Sequence, residues 1–525
     1  MNTEENKRNT GMFPECSWEE IENANLSIQA FGKRLHKDQT VYEYLLEFLL
    51  VFTSPKNKIE EGEKNRYTGE FMFHKPTEPV TYYVNPKIGL KRFIFFEQSK
   101  KDGRLSIDRE NYEEIVGILK DSLRLGEEEK AQVVKVIQDS FYGFSAVLRN
   151  RSWFAQSLLP IAPELIFNES IREKKDKKRL SEMEDANETE KIFQFKRHSF
   201  MARGGELYYL HILQGLQDAE QYREPLEALL YRMTHSVESL GKLGKFIQSK
   251  WEEEKEICVE KHIQQYKCDF IPEGYRRRGK YTCEELVNLL STSINELDKM
   301  EYMGRGMMLQ IFRMMYEQAQ IRVQKEEIPM WVVDVSGGNK NIRKMSEQSL
   351  QEMFETITAA NSKGLCYSQN LWENYMRKNS NKKKKQLNLS EYELKIMQEA
   401  EDSTNMLVKF LGKEIEFIIP LRGARERMTL SEDLITFLVV SLLKPMQRVT
   451  VNRFYQMLFE HYGMIIGGNP VEKYCKQRYG SQNYQVDFQE NELGFLHLLK
   501  NCGYLRELSD ATATVSYTHL RAHET

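Results

Sequence analysis

The spacing of apolar residues changes along the chain. From Ser17 to Phe52 apolar residues recur every three or four positions, which is typical of amphipathic helices. Between Phe71 and Ile107 short aromatic and β-branched runs alternate with proline and glycine, which predicts a small antiparallel sheet. Helical spacing resumes at Asp108 and dominates the remainder of the chain. We therefore expect a mainly α fold (α+β), with a helical multi-domain body and a small antiparallel sheet near the N-terminus.

Two polar segments divide this pattern. Residues 168–191 are charged throughout and have too few apolar side chains to form a core, so they predict a linker. Residues 377–386 form a second, lysine-rich break. The predicted organisation is an N-terminal α+β domain (1–167), the charged linker (168–191), a helical central domain (192–376), a basic connector and helix (377–429), a C-terminal domain (430–514) and a tail (515–525).

Composition and charge narrow the class of protein. The chain has 525 residues, of which 40% are apolar and 29% charged, and its net charge is -3. We therefore expect a globular protein whose surface is not positively charged overall. No apolar run reaches the ~20 residues that are needed to cross a bilayer. Seven scattered cysteines favour a reducing, cytoplasmic location. Cys258, Cys268 and His262 lack a second ligand pair, so we expect neither a metal site nor a cofactor.

The C-terminal pattern is the clearest. Residues 431–443 predict an apolar helix, 448–451 a short strand, 450–462 a second helix ended by Gly463, and 491–502 a third helix followed by a strand. This order resembles a winged helix-turn-helix domain with the second strand of its wing missing. The resemblance implies a third helix that enters the DNA major groove and a wing that contacts phosphate.

The charges of this region leave its partner open. Residues 421–511 contain eleven lysines and arginines against ten acidic residues, and the third helix carries more acid than base. Since phosphate contacts supply most of the affinity for DNA, both DNA contact and protein docking remain interpretations. The best phosphate-binding candidates are Arg448, Arg453, Lys473, Lys476 and Arg478.

A second segment, residues 197–216, joins basic residues and glycines to an apolar helix. Arg203, Gly204 and Gly205 stand where backbone N–H groups at a helix start could bind an anion. His198, Glu206 and His211 could act as acid, base or metal ligand, and His198 and Glu206 are the catalytic candidates here. The alternative interpretation is that the glycines allow close helix packing and that the helical histidine is a hydrogen-bonded core residue.

A third segment, residues 329–346, predicts a buried strand that ends in a polar turn. Asp334, Ser336, Asn339 and Arg343 should lie near one another at its carboxyl end, where ligands often bind. Asp334 is the third catalytic candidate. The same residues also fit an ordinary strand-to-helix turn with capping side chains.

Two basic clusters complete the candidates. Arg276, Arg277, Arg278 and Lys280 lie beside Tyr275 and Tyr281, a mixture of cations and aromatics that nucleic-acid grooves use. Lysines fill positions 382–385. In both cases the alternative is a solvated loop.

The segments ARGGELYYLH, DVSGGNKNIRK and the SDA ending of the C-terminal domain resemble uncharacterised helix-rich bacterial proteins of anti-phage defence islands. The resemblance implies a non-enzymatic cytoplasmic subunit that docks protein partners of a multi-gene system and contacts DNA through the C-terminal domain. The alternatives are a phosphate-ester hydrolase or nuclease that uses Arg203, Glu206 and Asp334, and a transcriptional regulator. Membrane association is not expected.

The last ten residues, SYTHLRAHET, resemble translated sequencing-adapter read-through of the kind found in metagenomic protein predictions. We therefore expect residues 515–525 to be an artefactual tail and the native C-terminus to be missing. On this view His519 and His523 are not ligand candidates.

Overall fold

The computed structural model describes residues 25–32, 35, 39–57, 68–72, 79–84, 90, 93, 106–142, 145–146, 157–158, 162–166, 204–254, 263–268, 271–379, 387–480, 487–509 and 512–517. It is mainly α-helical, as the sequence predicts. The predicted linker 168–191 and the lysine run 382–385 lie outside these residues.

The helices of the described residues share one numbering, α1 to α18. They are Leu26–Phe31, Val41–Thr53, Ser106–Asp121, Glu127–Tyr142, Gly204–Asp218, Arg223–Thr234, Glu238–Glu254, Glu273–Arg276, Gly279–Leu290, Glu296–Val323, Lys340–Ser362, Ser368–Asn379, Leu389–Asp402, Asn405–Glu414, Glu432–Leu442, Val451–Tyr462, Asn469–Tyr479 and Gln489–Asn501. Short 3₁₀ turns cover Pro163–Leu165, Glu220–Tyr222 and Lys363–Tyr367.

The strands are short and form separate small sheets. In chain order, β1 to β11 are Val80–Val84, Ser145–Ala146, Ser157–Leu158, Gln264–Cys268, Trp331–Val332, Ile418–Ile419, Arg427–Met428, Arg448–Thr450, Met464–Ile465, Leu505–Ser509 and Thr512–Ser516. The predicted N-terminal strand exists as β1, but its antiparallel partner is β4, far along the chain, rather than a neighbouring run. Local periodicity identifies a strand but carries no information about its partner.

The chain forms two compact units, and each is discontinuous in sequence. Unit 1 comprises Met1–Val41, Ala202–Leu226 and Phe270–Thr525, and unit 2 comprises Tyr42–Met201 and Glu227–Asp269. In unit 2 the aromatic rings of Phe48, Phe52 and Phe71 pack together. There α7 lies against the Pro163–Leu165 turn, where Gly244 leaves room for the Leu165 side chain.

Helix α10 is the centre of unit 1. Asn295 caps its first turn by accepting hydrogen bonds from the N–H groups of Leu297 and Asp298. Most of its inner positions are buried, among them six methionines, whose flexible side chains fill irregular spaces between helices. The helix contacts α8, α9, α11 and α15. Near it, α5 and α9 touch backbone to backbone because their crossing point joins Gly215 to Gly279.

Residues 431–517 follow the predicted order of helices and strands. Ser431 caps α15, Thr450 caps α16, and Gly463 ends α16 in the left-handed conformation with φ 73°. Strands β10, β11 and β8 form an antiparallel sheet in that order, with Val515 opposite Val449. The prediction that the second strand of the hairpin is missing was wrong. Polar and apolar side chains alternate along Thr512–Ser516, as is typical of a strand, and Val515 is buried against the helices.

Two further strand pairs connect these helices with α11. Strands β5 and β9 run parallel, with Trp331 opposite Met464. Strands β6 and β7 form an antiparallel hairpin, with Ile419 opposite Arg427. We call its connecting loop, residues 420–426, the arm.

Candidate functional site

The histidine and glycines of the 197–216 segment are buried inside α5. His211 Nδ1 lies 2.6 Å from the Tyr275 carbonyl oxygen, so this nitrogen carries the proton and donates it. Its Nε2 then accepts from the Thr282 hydroxyl at 2.8 Å. Burial lowers the pKa of His211, which keeps the ring neutral. These bonds use both ring nitrogens and favour a structural role.

The other candidates of this segment do not gather around His211 in the described structure. Glu206 is buried in the first turn of α5, and Gly204 and Gly205 are buried beside it, which favours the packing interpretation. His198 and Arg203 lie outside the described residues.

Asp334 lies at the end of β5 with both carboxylate oxygens engaged. Oδ1 accepts from the Gly337 N–H at 3.0 Å and from the Ser336 hydroxyl at 3.3 Å. Oδ2 accepts from Arg427 Nε at 2.8 Å, and Arg343 Nε lies 3.9 Å away. The side chain is fully buried. A buried carboxylate with hydrogen bonds to both oxygens holds the turn together, which favours a structural role for Asp334.

Three of the four residues predicted at this turn are close together, and the fourth has a different task. Ser336 and Arg343 lie beside Asp334, and an Arg343 Nη2 N–H donates to the Gly337 carbonyl. Asn339 instead caps α11 by accepting from the N–H groups of Asn341 and Ile342. The segment is thus the strand-to-helix turn of the alternative interpretation.

The carboxyl ends of β5 and β9 carry the same three residues, Gly-Gly-Asn, at 337–339 and 467–469. The first turn of α18 fills the space between the two loops. Asn491 accepts from the N–H groups of Val335 and Ser336 and donates to the carbonyls of Val333 and Ile466. Glu492 accepts from the Gly468 N–H at 2.7 Å. Side chains of the protein itself therefore take the backbone groups that a ligand would use at these strand ends.

The Arg276–Lys280 segment lines a cavity of about 650 Å³. Arg278 donates to Glu317 at 2.8 Å and to the carbonyl of Glu460, and Arg277 pairs with Glu273 at 2.6 Å. Arg276 donates to the Ile271 carbonyl at 3.3 Å. The charged residues of the lining are Arg277, Arg278, Lys280, Lys325, Glu317, Glu326 and Glu327. Positive and negative groups nearly balance, so this cavity is not a strongly basic surface.

Arg478 of α17 lines a neighbouring cavity of about 220 Å³. Arg478 pairs with Glu352 at 2.6 Å, and Lys473 lies 4.8 Å above the ring of Phe459. Glu327 lines both cavities, so the two predicted basic segments meet at one surface of unit 1. Folding pairs their cations with carboxylates or rings, which weakens their attraction for phosphate.

The remaining residues predicted to bind phosphate are exposed to solvent. Arg448 is exposed on β8, and Lys476 is exposed on α17. Arg453 is exposed at the start of α16 and pairs with Glu460 at 3.2 Å. On α18 the exposed residues carry one acid and one lysine, so their formal charge is zero; they are Gln489, Glu490, Leu493, His497, Lys500 and Asn501.

A buried polar network around Glu285 escapes prediction from the sequence. Its carboxylate accepts from His461 Nδ1 at 2.6 Å, from the Tyr462 hydroxyl at 2.7 Å and from Gln310 Nε2 at 3.0 Å. Burial raises the pKa of Tyr462, and the neighbouring Glu285 charge adds to the effect. The network links α9, α10 and α16. No local spacing could reveal it, because Glu285 and His461 are far apart in sequence.

A second buried cluster surrounds Arg313, one helical turn after Gln310 on α10. Arg313 is almost fully buried and donates from Nε to Glu317 at 2.9 Å. Its Nη1 donates to the carbonyls of Pro329 and Tyr462. Burial lowers the pKa of Arg313 to about 10, although Glu317 favours the charged form. Glu317 therefore holds two arginines, Arg313 and Arg278, on one carboxylate oxygen.

In unit 2, Lys56 is the corresponding buried cation. Its Nζ donates to the carbonyls of Ser54 at 2.6 Å and Phe52 at 3.1 Å, at the end of α2. Burial lowers the pKa of Lys56 to about 7, against the attraction of Glu70, Cys268 and Glu227. The contacts are those of a helix C-terminal cap.

Within the described ranges, no group of three or more His, Cys, Asp or Glu residues is arranged to hold a metal ion. Cys258, His262, His519 and His523 fall outside those ranges. No helix among the described residues is long and apolar enough to span a membrane. Comparisons with protein-family models, with curated proteins and with solved structures find no match.

Proposed function

We propose that this chain is a non-enzymatic subunit of a DNA-associated assembly, of the kind found in anti-phage defence systems, and that residues 431–517 are a winged-helix-like module. One observation carries the proposal. Helix α15, strand β8, helices α16 and α18, and strands β10 and β11 occur in the order of that fold, with β9 and α17 inserted between α16 and α18. Strand β8 pairs with β11, the second strand of the hairpin.

The state of the catalytic candidates supports a role without chemistry for these residues. Asp334 is buried and held by hydrogen bonds from its own turn and from Arg427, and His211 is a neutral, buried ring with a hydrogen bond at each nitrogen. A hydrolase that used Asp334 would need it to reach a substrate or a water. The alternative of a phosphate-ester hydrolase or nuclease therefore loses one of its three residues.

The charge distribution indicates how the module would meet DNA. The exposed face of α18 is nearly neutral, and its first turn is occupied by the loops after β5 and β9. Phosphate contact would then come from the edge of the small sheet and the start of α16, where Arg448 and Arg453 are exposed. A few phosphate contacts give modest affinity that falls with salt. Protein docking on the α18 face completes the proposal.

Equilibrium binding of the full chain to a fluorescent duplex, measured across a salt series, tests this function. We expect salt-dependent binding and a smaller salt slope in Arg448→Gln/Arg453→Gln, by about 0.9 for each phosphate that the variant no longer neutralises. Lys242→Gln, an exposed lysine of unit 2, is the matched control and should bind like the wild type. Absence of wild-type binding at low salt would contradict DNA contact, and an unchanged slope in the double variant would contradict this choice of residues.

A further inference from the structure

The arm, the loop between β6 and β7, is a solvent-exposed basic tip on a firmly held base. Its residues fall in the predicted basic connector and helix, 377–429. In the structure Leu421, Arg422, Gly423, Ala424 and Arg425 are all exposed, and Leu421 retains 62% of its accessible surface. A Cβ atom added at Gly423 would meet nothing nearer than the Pro420 ring at 3.9 Å. The described structure therefore leaves the tip open.

The base of the arm is fixed by hydrogen bonds to β5 and α11. Arg427 pairs with the buried Asp334, whose own N–H donates to the Met428 carbonyl at 3.0 Å. Ser346 both donates to Met428 and accepts from it. Thr429 donates its hydroxyl hydrogen to the Asp334 carbonyl at 2.8 Å. The turn that holds Asp334 thus positions the arm, because Asp334 binds both the Arg427 side chain and the Met428 backbone on β7.

The charges at the tip have no partner among the described residues. Neither Arg422 nor Arg425 makes a hydrogen bond or ion pair with any other residue that the structure describes. Residues 420–425 contain no acid. The neighbouring carboxylates are Glu416, before β6, and Glu426, which Lys413 and Lys409 contact at 2.6 and 2.9 Å. The tip therefore presents two free guanidinium groups to solvent.

The backbone adds an independent observation. Arg425 has φ 62°, in the left-handed region. This conformation costs a residue with a Cβ atom about 1–2 kcal/mol and costs glycine almost nothing. Arginine at this position brings conformational strain and, within the described residues, no contact that offsets it. A side chain that faces solvent at such a position points to a partner outside the chain.

The chemistry of the tip defines that partner. An exposed leucine follows a proline and is followed by two arginines. Phe410, half exposed, lies on α14 in the same helix as Lys409 and Lys413. Proteins that bind the DNA minor groove combine arginines, which follow its negative potential, with apolar side chains that insert between base steps. We propose that the arm inserts into the minor groove of duplex DNA, with Leu421 as the wedge and Arg422 and Arg425 on the groove and its phosphates. This inference deepens the proposed function and rests on it.

The salt dependence of binding to a short, fluorescent, AT-rich duplex tests the arm in the full-length protein. Arg422→Gln/Arg425→Gly should bind about tenfold more weakly, with a salt slope smaller by about 2, since two phosphate-linked cations are removed. Leu421→Ser should bind several-fold more weakly with an unchanged slope, because a wedge neutralises no phosphate. Arg277→Gln/Lys280→Gln removes two cations from the other arginine loop and should bind like the wild type. A minor-groove ligand such as distamycin should displace the wild type, and the major-groove ligand methyl green should not.

The outcomes separate this inference from the proposed function. If the arm variants bind DNA as the wild type does, the proposed contact of the arm with DNA is wrong and the proposed function remains. Displacement by methyl green instead of distamycin overturns the groove assignment. If the wild type bound polyglutamate as tightly as duplex DNA, the arm would recognise any acidic chain, and the minor-groove proposal would be wrong. Absence of wild-type binding to any duplex overturns both proposals.

Discussion

Arg278 and Arg425 have the same backbone conformation and opposite uses. Their φ values are 63° and 62°, so each occupies the left-handed region that favours glycine. Arg278 directs its guanidinium inward, to Glu317 and to the Glu460 carbonyl. Arg425 directs its guanidinium to solvent, next to Arg422. One loop uses its arginine within the fold, and the other keeps its arginine available for a partner.

The difference shows that a basic cluster in a sequence is not yet a basic surface. The Arg276–Lys280 segment has the denser cluster, but carboxylates and carbonyls of neighbouring elements occupy its three arginines. The arm has fewer cations and no acid at its tip. Since phosphate affinity depends on charge that the fold has not already neutralised, the arm is the better candidate for contact with DNA.

The largest effect should come from removing the carboxylate that holds the inward arginine. Glu317→Gln leaves Arg313 buried without its counter-charge, and loss of one partner of a buried pair costs about 3–5 kcal/mol. We expect the free energy of unfolding of unit 1 to fall by that amount in chemical denaturation. Glu273→Gln, which removes the exposed partner of Arg277, is the control and should cause no measurable change. If Glu317→Gln had the same free energy of unfolding as the wild type, the inward contacts of Arg278 and Arg313 with Glu317 would not support the fold.

The two left-handed arginines can be exchanged for glycine as a matched pair. Arg278→Gly relieves backbone strain but removes charged hydrogen bonds worth about 1.5–3 kcal/mol, so the net change should be destabilising. Arg425→Gly removes no hydrogen bond or ion pair of the described structure and should leave stability equal to the wild type or raise it by about 1 kcal/mol. Thermal or denaturant unfolding of both variants measures the contrast. Equal destabilisation of the two variants would show that Arg425 also supports the fold.

The smallest effect concerns pH. Burial opposes ionisation of Glu426, but hydrogen bonds from Lys413 and Lys409 outweigh it and lower the pKa of the carboxyl. A group with a lowered folded-state pKa stabilises the fold above its ordinary value of about 4.5, and this contribution is lost as the pH falls through the folded-state pKa. The stability difference between the wild type and Glu426→Gln should therefore stay below about 1 kcal/mol at neutral pH and vanish in acid. A difference that grows as the pH falls would mean that Glu426 does not anchor the arm.

Local signals in the sequence predict helices and strands better than they predict the partners of those elements. The structure confirms the helices predicted over 431–443 and 450–462 as α15 and α16, and it confirms that Gly463 ends α16. Val80–Val84 is a strand as predicted, yet its partner is β4. Pairing between distant segments depends on tertiary packing, which the local pattern of a single sequence does not reveal.

The arm was missed because its signals are short. Its strands have two residues each, too few for an alternating pattern to be visible, and the proline and glycine between them indicate no more than a turn. The Asp334 turn was found, but its role was open because its main partner, Arg427, comes from a hairpin distant in sequence. Whether a charged side chain is paired inward or free is a property of the folded molecule.

Site-specific photo-crosslinking can show whether the arm or the loop of Arg278 contacts DNA. A benzophenone amino acid at position 421 would report contact by the arm, and the same group at position 281 would report contact by the loop of Arg278. With an end-labelled duplex at physiological salt, we predict a crosslink from position 421 that distamycin suppresses, and none from position 281. A crosslink from position 281 without one from position 421 would contradict the account, because the loop with paired arginines would then be the one that meets DNA.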